Sequence, residues 1–302
     1  MRLKPLRPAS QQPKKQAADK KLCENGSEMA GSPIPIGLFD SGAGGLSIYN
    51  AIRLELPYQP VIYLADQAHI PYGPRPLAEV RAFAERITRF LVEQGVGLVV
   101  VACNAASAAA LHHLRAEFAP LRFVGMEPAV KPAAENTHSG VVGVLATPAT
   151  FQGALYASVV ERFANGVTVL QDTCPGLVQQ IEAGQLDAPA TRAILAQSLQ
   201  PMLDQRIDTV VLGCTHYPFV IPIIQEIAGP GVRVIDPAPA VARQARRLLA
   251  ASANLATGPE PGWARFFTTG DRAAFERLVL LFTGSEERVN QATWTGERIA
   301  AG

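Results

Sequence analysis

The sequence has almost no net charge, no long apolar run and few cysteines, and each shortage removes a class of function. Twenty-seven Lys/Arg stand against 26 Asp/Glu, a net charge of +1 over 302 residues. No basic excess is available to hold a polyanion, so nucleic-acid binding by bulk charge is not expected. The most hydrophobic window, Leu91 to Leu111, is interrupted by Glu93, Gln94, Asn104 and Ser107. Nothing reaches the roughly 20 uninterrupted apolar residues of a membrane span, so no membrane partner is expected. The four cysteines, Cys23, Cys103, Cys174 and Cys214, form no CxxC pair and take no metal-ligand spacing with the five histidines. Reduced thiols in a cytoplasmic protein, without a metal, are the default reading. A GxxxxGK[ST] run is absent as well, which leaves a nucleotide cradle weakly supported.

What is present is a core-forming chain with a distinctive end. Apolar residues make up 48%, enough for one large domain or two of ordinary size. Residues 1 to 33 carry seven Lys/Arg and three Asp/Glu, leaving twenty and twenty-three for the remainder. Rich in Pro, Gln and Ser, that stretch reads as a disordered basic tail and not as a secretory signal. The body alternates short apolar runs, 34–39, 61–65, 97–102, 123–126, 141–146, 209–213 and 232–236, with helical patterns. Uninterrupted apolar runs are strands buried on both faces, so an α/β fold with parallel sheets is expected. Between them, Val80, Phe83, Ile87, Phe90 and Leu91 lie on one helical stripe between Pro76 and Gly95, and Ala190 to Leu203 repeats the pattern.

An internal echo divides the body. Val99-Val-Val-Ala-Cys103-Asn104 and Val210-Val-Leu-Gly-Cys214-Thr215 share one plan, a strand, a small residue, a cysteine and a small polar residue, 111 residues apart. The strand ending at Asp40-Ser41 is echoed by the strand ending at Thr147, at nearly the same spacing. Two similar parallel-sheet α/β domains related by pseudo-symmetry follow, with the active site in the cleft between them.

The chemistry-bearing residues lie at strand ends, where open α/β sheets bind ligands. Asp40-Ser41-Gly42-Ala43-Gly44-Gly45 could offer amides and a hydroxyl to an anionic group. A buried cysteine is ordinarily an inert small hydrophobe. Cys103 and Cys214 stand at equivalent strand ends before expected helix starts, where a thiolate is favoured. Two thiols facing one cleft make an acid and a base, and His216, two residues beyond Cys214, could exchange a proton with it. Cys174 is assigned a structural role and Cys23 none; His112 and His113 read as solvated, and His69 and His138 support no assignment.

The segments GLFDSGAGGLS (37–47), Asp66 with Pro71-Tyr72-Gly73, ACNAAS (102–107), GVLATPAT (143–150), Cys174-Pro175 with Ile181-Glu182, and LGCTHYP (212–218) occur in order. With these, the stretch from about Ile34 through Ala250 resembles the glutamate racemases of the aspartate/glutamate racemase superfamily. The resemblance implies cofactor-independent interconversion of L- and D-glutamate, supplying D-glutamate for bacterial peptidoglycan. It implies that Cys103 abstracts the α-proton of D-glutamate and Cys214 that of L-glutamate, with Asp40 assisting the first, His216 the second, and Glu182 supporting that side. Ser41, Tyr72, Gly73, Asn104, Thr147, Thr150 and Thr215 would hold the substrate's charged groups, with Pro71 and Ala105 in the same binding segments. Relatives usually carry Thr where this chain has Ala105, a lost hydrogen bond of about 0.5–1.5 kcal/mol that weakens glutamate binding several-fold. The family's chain returns to its first domain, which implies 34–126 plus 240–281 as one domain, 127–239 as the other, and 282–302 as a peripheral segment. A homodimer is implied, and a peptidoglycan precursor is a candidate regulator, as in relatives with amino-terminal extensions. Two other readings stand beside this one: an aspartate racemase with the same thiol pair, and a nucleotide- or small-anion-binding module with structural cysteines.

Overall fold

The computed structural model describes residues 33–302. The basic tail and Cys23 lie outside the described residues, except for Pro33. The chain opens as β1 (Ile36–Asp40), α1 (Leu46–Glu55), β2 (Val61–Ala65), α2 (Leu77–Glu93), β3 (Leu98–Val101), α3 (Asn104–Glu117) and β4 (Arg122–Val124). It continues through α4 (Val130–Asn136), β5 (Val141–Ala146), α5 (Pro148–Gln152), α6 (Ala154–Phe163), β6 (Thr168–Asp172), α7 (Leu177–Glu182), α8 (Pro189–Leu203), β7 (Thr209–Gly213), α9 (Ile221–Ala228), β8 (Arg233–Ile235) and α10 (Ala238–Ala251). It ends with β9 (Ala264–Thr268), α11 (Arg272–Thr283), β10 (Val289–Thr295) and β11 (Arg298–Ala301).

Two sheets result. The larger runs β11-β10-β9-β2-β1-β3-β4 and the smaller β6-β5-β7-β8. Reading each half from its first strand, the order second-first-third-fourth is the same in both. All pairings are parallel except β10 with β11. The uninterrupted apolar strands explain this arrangement. In β1, Ile36 and Leu38 face one apolar cluster and Phe39 the opposite one, as alternation across a strand requires, so both faces must be covered by helices. One apolar cluster includes Leu46 and Ile48 of α1 together with Leu177, Leu195 and Tyr217 of the second half, so the halves share a core.

Local signals behave as their chemistry dictates. Helix α2 buries Val80, Phe83, Ile87, Phe90 and Leu91. It stops where Gly95 takes φ +80°, a left-handed conformation that favours glycine. Pro76 lies just outside the helix as its cap residue, one position before the expected first turn.

The 282–302 segment, expected to be peripheral, forms the outer end of the larger sheet. β10 pairs with β9 in parallel and β11 folds back on β10. Val289, Ala292 and Ile299 are buried, whereas Asn290, Gln291 and Thr293 separate the apolar positions. These polar residues break the continuous apolar run that marks the central strands.

Candidate active site

The register places the two thiols at equivalent points. Phe39 pairs with Val101 between β1 and β3, and Leu145 pairs with Leu212 between β5 and β7. Cys103 and Cys214 each follow the paired residue of the third strand by two positions. By the same register Ser41 corresponds to Thr147, and Asp40 to Ala146. Both cysteines are buried and line one cavity with Ser41, Asn104, Thr215 and His216. Pro71, Tyr72 and Gly73 close one side, and Ala105 and Thr147 complete the expected wall. The cavity is small, at about 20 Å³, room for about one water.

Three expected site residues stand behind this wall. Asp40 and Glu182 reach the site through hydrogen bonds, described below, and Thr150 is buried with its hydroxyl 3.1 Å from that of Thr147. Two lining residues, Val178 and Gly213, were not anticipated. Val178 reads in sequence as one more apolar helical position, and Gly213 as a strand end.

The two thiols differ in their support. Cys103 caps α3, and its Sγ accepts the Ala106 N–H at 3.5 Å. Burial pushes this thiol well above its usual range, and the nearby Asp40 adds to the effect, outweighing the Ala106 amide. The expectation that a helix start makes Cys103 a ready thiolate is therefore corrected: desolvation penalises the charged form more than the helix end favours it. Cys214 precedes no α-helix directly. A 3-10 turn, Tyr217–Val220, comes first, with Pro218 in it, and α9 starts only at Ile221. In place of a helix end, Cys214 has His216, whose Nδ1 lies 3.7 Å from Sγ. His216 Nε2 is 2.6 Å from Glu182 Oε1. Burial opposes a charge on His216, yet hydrogen bonds to Cys214 and Glu182 hold its pKa well above the ordinary histidine range. Burial likewise pushes the Glu182 carboxyl up, but His216, the Ala43 amide and Gln67 bring it below the carboxylate norm.

The glycine-rich turn plays a part its composition only half revealed. Its amides do hold anions, but these are the protein's own carboxylates. Ser41 N–H donates to Asp40 Oδ1 at 2.7 Å, Gly45 N–H to Asp40 Oδ2 at 2.5 Å, and Ala43 N–H to Glu182 Oε1 at 2.6 Å. A Cβ on Gly44 would stand 2.4 Å from His216 Nδ1, and one on Gly42 would stand 2.2 Å from Glu182 Oε1. Glycine there lets the turn of one half meet the catalytic candidates of the other. Asp40 is fully buried, which raises its pKa against the opposing effects of His216 and the Ser41 amide. Thr215 Oγ1 donates to Asp40 Oδ2 at 3.2 Å, and Ser47 Oγ donates to the Thr215 carbonyl at 2.9 Å. Hydrogen bonds thus stitch the two halves together across the cleft.

Asn104 is a contrasting case. Both polar atoms of its amide are buried without a hydrogen-bond partner among the described residues. Buried amides are ordinarily paired, and this one lies in the cavity wall. No cluster of three His/Cys/Asp/Glu suited to a metal occurs among the described residues, and no helix there is long and apolar enough to cross a membrane.

Comparison with known proteins points to one family. The family model described as Asp/Glu/Hydantoin racemase matches residues 43–245. A glutamate racemase of Pseudomonas aeruginosa (strain UCBPP-PA14) is 47% identical over 263 residues, spanning 87% of this chain and 99% of that relative. The structure of glutamate racemase isoform RacE1 from Bacillus anthracis matches with TM-score 0.77 at 30% identity, over 88% of this chain and 98% of that one. The Escherichia coli glutamate racemase structure, in complex with L-glutamate and the activator UDP-MurNAc-ala, matches with TM-score 0.76 at 32% identity, over 87% of this chain and 100% of that one. By sequence and by fold, the chain belongs to the Asp/Glu/Hydantoin racemase family.

Proposed function

We propose that this protein interconverts L- and D-glutamate without a cofactor, through two thiols acting on opposite faces of the α-carbon. The observation that carries the reading is the pair Cys103 and Cys214, placed by equivalent strands on one cavity, each beside its own acid–base partner. The α-hydrogen of an amino acid is a very weak acid, so a positioned base and a positioned acid are both needed. In the L-to-D direction, the Cys214 thiolate takes the α-proton and the Cys103 thiol delivers its own proton to the opposite face. The reverse direction exchanges the roles. His216, charged and held by Glu182, supports the thiolate of Cys214; Asp40 is placed to serve Cys103. Burial of Cys103 as a neutral thiol suits the donor role in the L-to-D direction.

Substrate contacts follow from the wall. The unpaired Asn104 amide, the Ser41, Thr147 and Thr215 hydroxyls and the loop at Tyr72-Gly73 would hold the carboxylates and ammonium. Exclusion of water by closure of the cleft strengthens such contacts as carbanion-like charge develops. Glutamate is favoured over aspartate by the similar proteins, several of which are named glutamate racemases. Provision of D-glutamate for peptidoglycan in the cytoplasm, homodimeric assembly and control by a peptidoglycan precursor belong to the same proposal. The last draws on the activator bound by the Escherichia coli relative.

Incubation with L-glutamate or L-aspartate in deuterated water, without added cofactor, tests the reading. Deuterium should enter the α-position of glutamate as the D-enantiomer accumulates. Folded protein that gives neither with any dicarboxylic amino acid overturns it, and preference for aspartate would replace the substrate.

A further inference from the structure

We infer that Asp66 and Trp294 are positioning residues: the carboxyl-terminal strand β10, through the indole N–H of Trp294 and the Asp66 carboxylate, sets the Tyr72-Gly73 wall of the cavity. The inference rests on the racemase reading of that cavity and adds residues that do not touch it. Asp66 follows β2 and is fully buried. Its Oδ2 accepts the Tyr72 hydroxyl at 2.6 Å, and its Oδ1 accepts the Thr269 hydroxyl at 2.7 Å and the Trp294 indole N–H at 2.8 Å. His69 Nδ1 approaches the same carboxylate at 2.9 Å.

A buried carboxylate is costly unless its partners are complete, and a complete set fixes geometry. Here two donors come from after β9 and from β10, the third is Tyr72 of the cavity wall, and the fourth is His69 of the intervening loop. Because the Tyr72 hydroxyl is committed to Asp66, its ring presents a fixed face to the cavity. The next residue, Gly73, bridges the cleft: its carbonyl accepts the Ala149 N–H at 2.9 Å, and a Cβ there would meet Thr147 at 2.9 Å. A shift of Tyr72 is thereby passed to the wall of the second half. The loop is also tied at Gln67, which accepts from Thr268 and donates to Glu182. Trp294 stacks edge-on against His69 and Phe83, so it closes the loop's outer side as well as bonding Asp66.

The test uses the full chain. Trp294→Phe keeps a ring against His69 and Phe83 but removes the indole donor, and Thr269→Val removes the second donor independently. Each should raise KM for L- and D-glutamate by about 3–10-fold while changing kcat less than about twofold, the pattern of lost uniform binding. In a Tyr72→Phe background, Trp294→Phe should add nothing further, because the route through Asp66 is already cut. KM within about twofold of the parent in both single variants overturns the inference, as do effects of Trp294→Phe and Tyr72→Phe that simply multiply. The parent is assayed first; if it does not racemise glutamate, the functional reading fails before any variant is compared.

Discussion

The two halves carry the same strands in the same order, and a cysteine at the same place, yet they surround that cysteine differently. Beside Cys103 stands a single buried carboxylate, Asp40, from the first strand of its own half. At the corresponding first-strand position the second half has Ala146, and Cys214 is served by His216 with Glu182 behind it. A symmetric scaffold therefore bears an asymmetric pair, one thiol whose pKa burial raises and one beside a histidine whose pKa its hydrogen bonds to Cys214 and Glu182 raise. In the proposed two-thiol reaction one group takes a proton while the other gives it, and the roles exchange with direction. The scaffold supplies equivalent positions, and the unequal neighbours distinguish the two sides without fixing either role.

The comparison is broken most decisively at the thiols. Cys103→Ala and Cys214→Ala should each lower racemisation on the order of 10²–10⁴-fold, read by D-glutamate formation, with the fold unchanged by circular dichroism. Near-normal turnover in either variant would remove the two-thiol mechanism. A smaller effect separates the partners through pH. His216 has a raised pKa, so its contribution to stability is fully present below about 6.5 and is lost as pH rises through that raised value. Glu182 has a lowered pKa, so its contribution is present above about 4.5 and is lost as pH falls through the lowered value. Thermal midpoints across pH should show both losses in the parent, and His216→Gln should reduce the alkaline one, leaving the later loss from buried groups such as Cys103. An unchanged alkaline limb would mean that the imidazolium does not contribute. Smaller again is Ala105→Thr, which returns a hydroxyl to the cavity wall. A gain of about 0.5–1.5 kcal/mol would lower KM several-fold, and no change would show that the hydroxyl is dispensable here.

Much of this site was legible in the chain because its signals are local. Continuous apolar runs marked β1, β2, β5 and β7, since strands covered on both faces leave little room for polar residues. The repeated cysteine marked the cavity because it stands at the same register position in both halves. Glu182 was silent as a residue: a glutamate ending a short helix is ordinarily solvated, and only resemblance singled it out. Its partners, Ala43 and His216, are 139 and 34 positions away, and no spacing rule reaches across such distances. Strand β10 was hidden for another reason, since Asn290, Gln291 and Thr293 interrupt its apolar residues. The protonation of Cys103 also escaped, because a helix start and complete burial pull its pKa in opposite directions, and only the fold shows which prevails.

The bonds that join the halves beside the small cavity have a consequence for affinity. A cavity of about 20 Å³ holds about one water, so parting of the halves is the expected route by which a five-carbon diacid enters. The observed affinity is then the intrinsic one scaled by the fraction of open molecules. The Ser47 hydroxyl lies 2.9 Å from the Thr215 carbonyl of the other half and 2.9 Å from the Gly44 carbonyl of its own turn, and it does not line the cavity; where it donates to Thr215 it would favour the shut population. Ser47→Ala should accordingly tighten glutamate binding about twofold, measurable by calorimetry, and weaker binding would place that hydroxyl among the groups that shape the pocket instead of those that keep it shut.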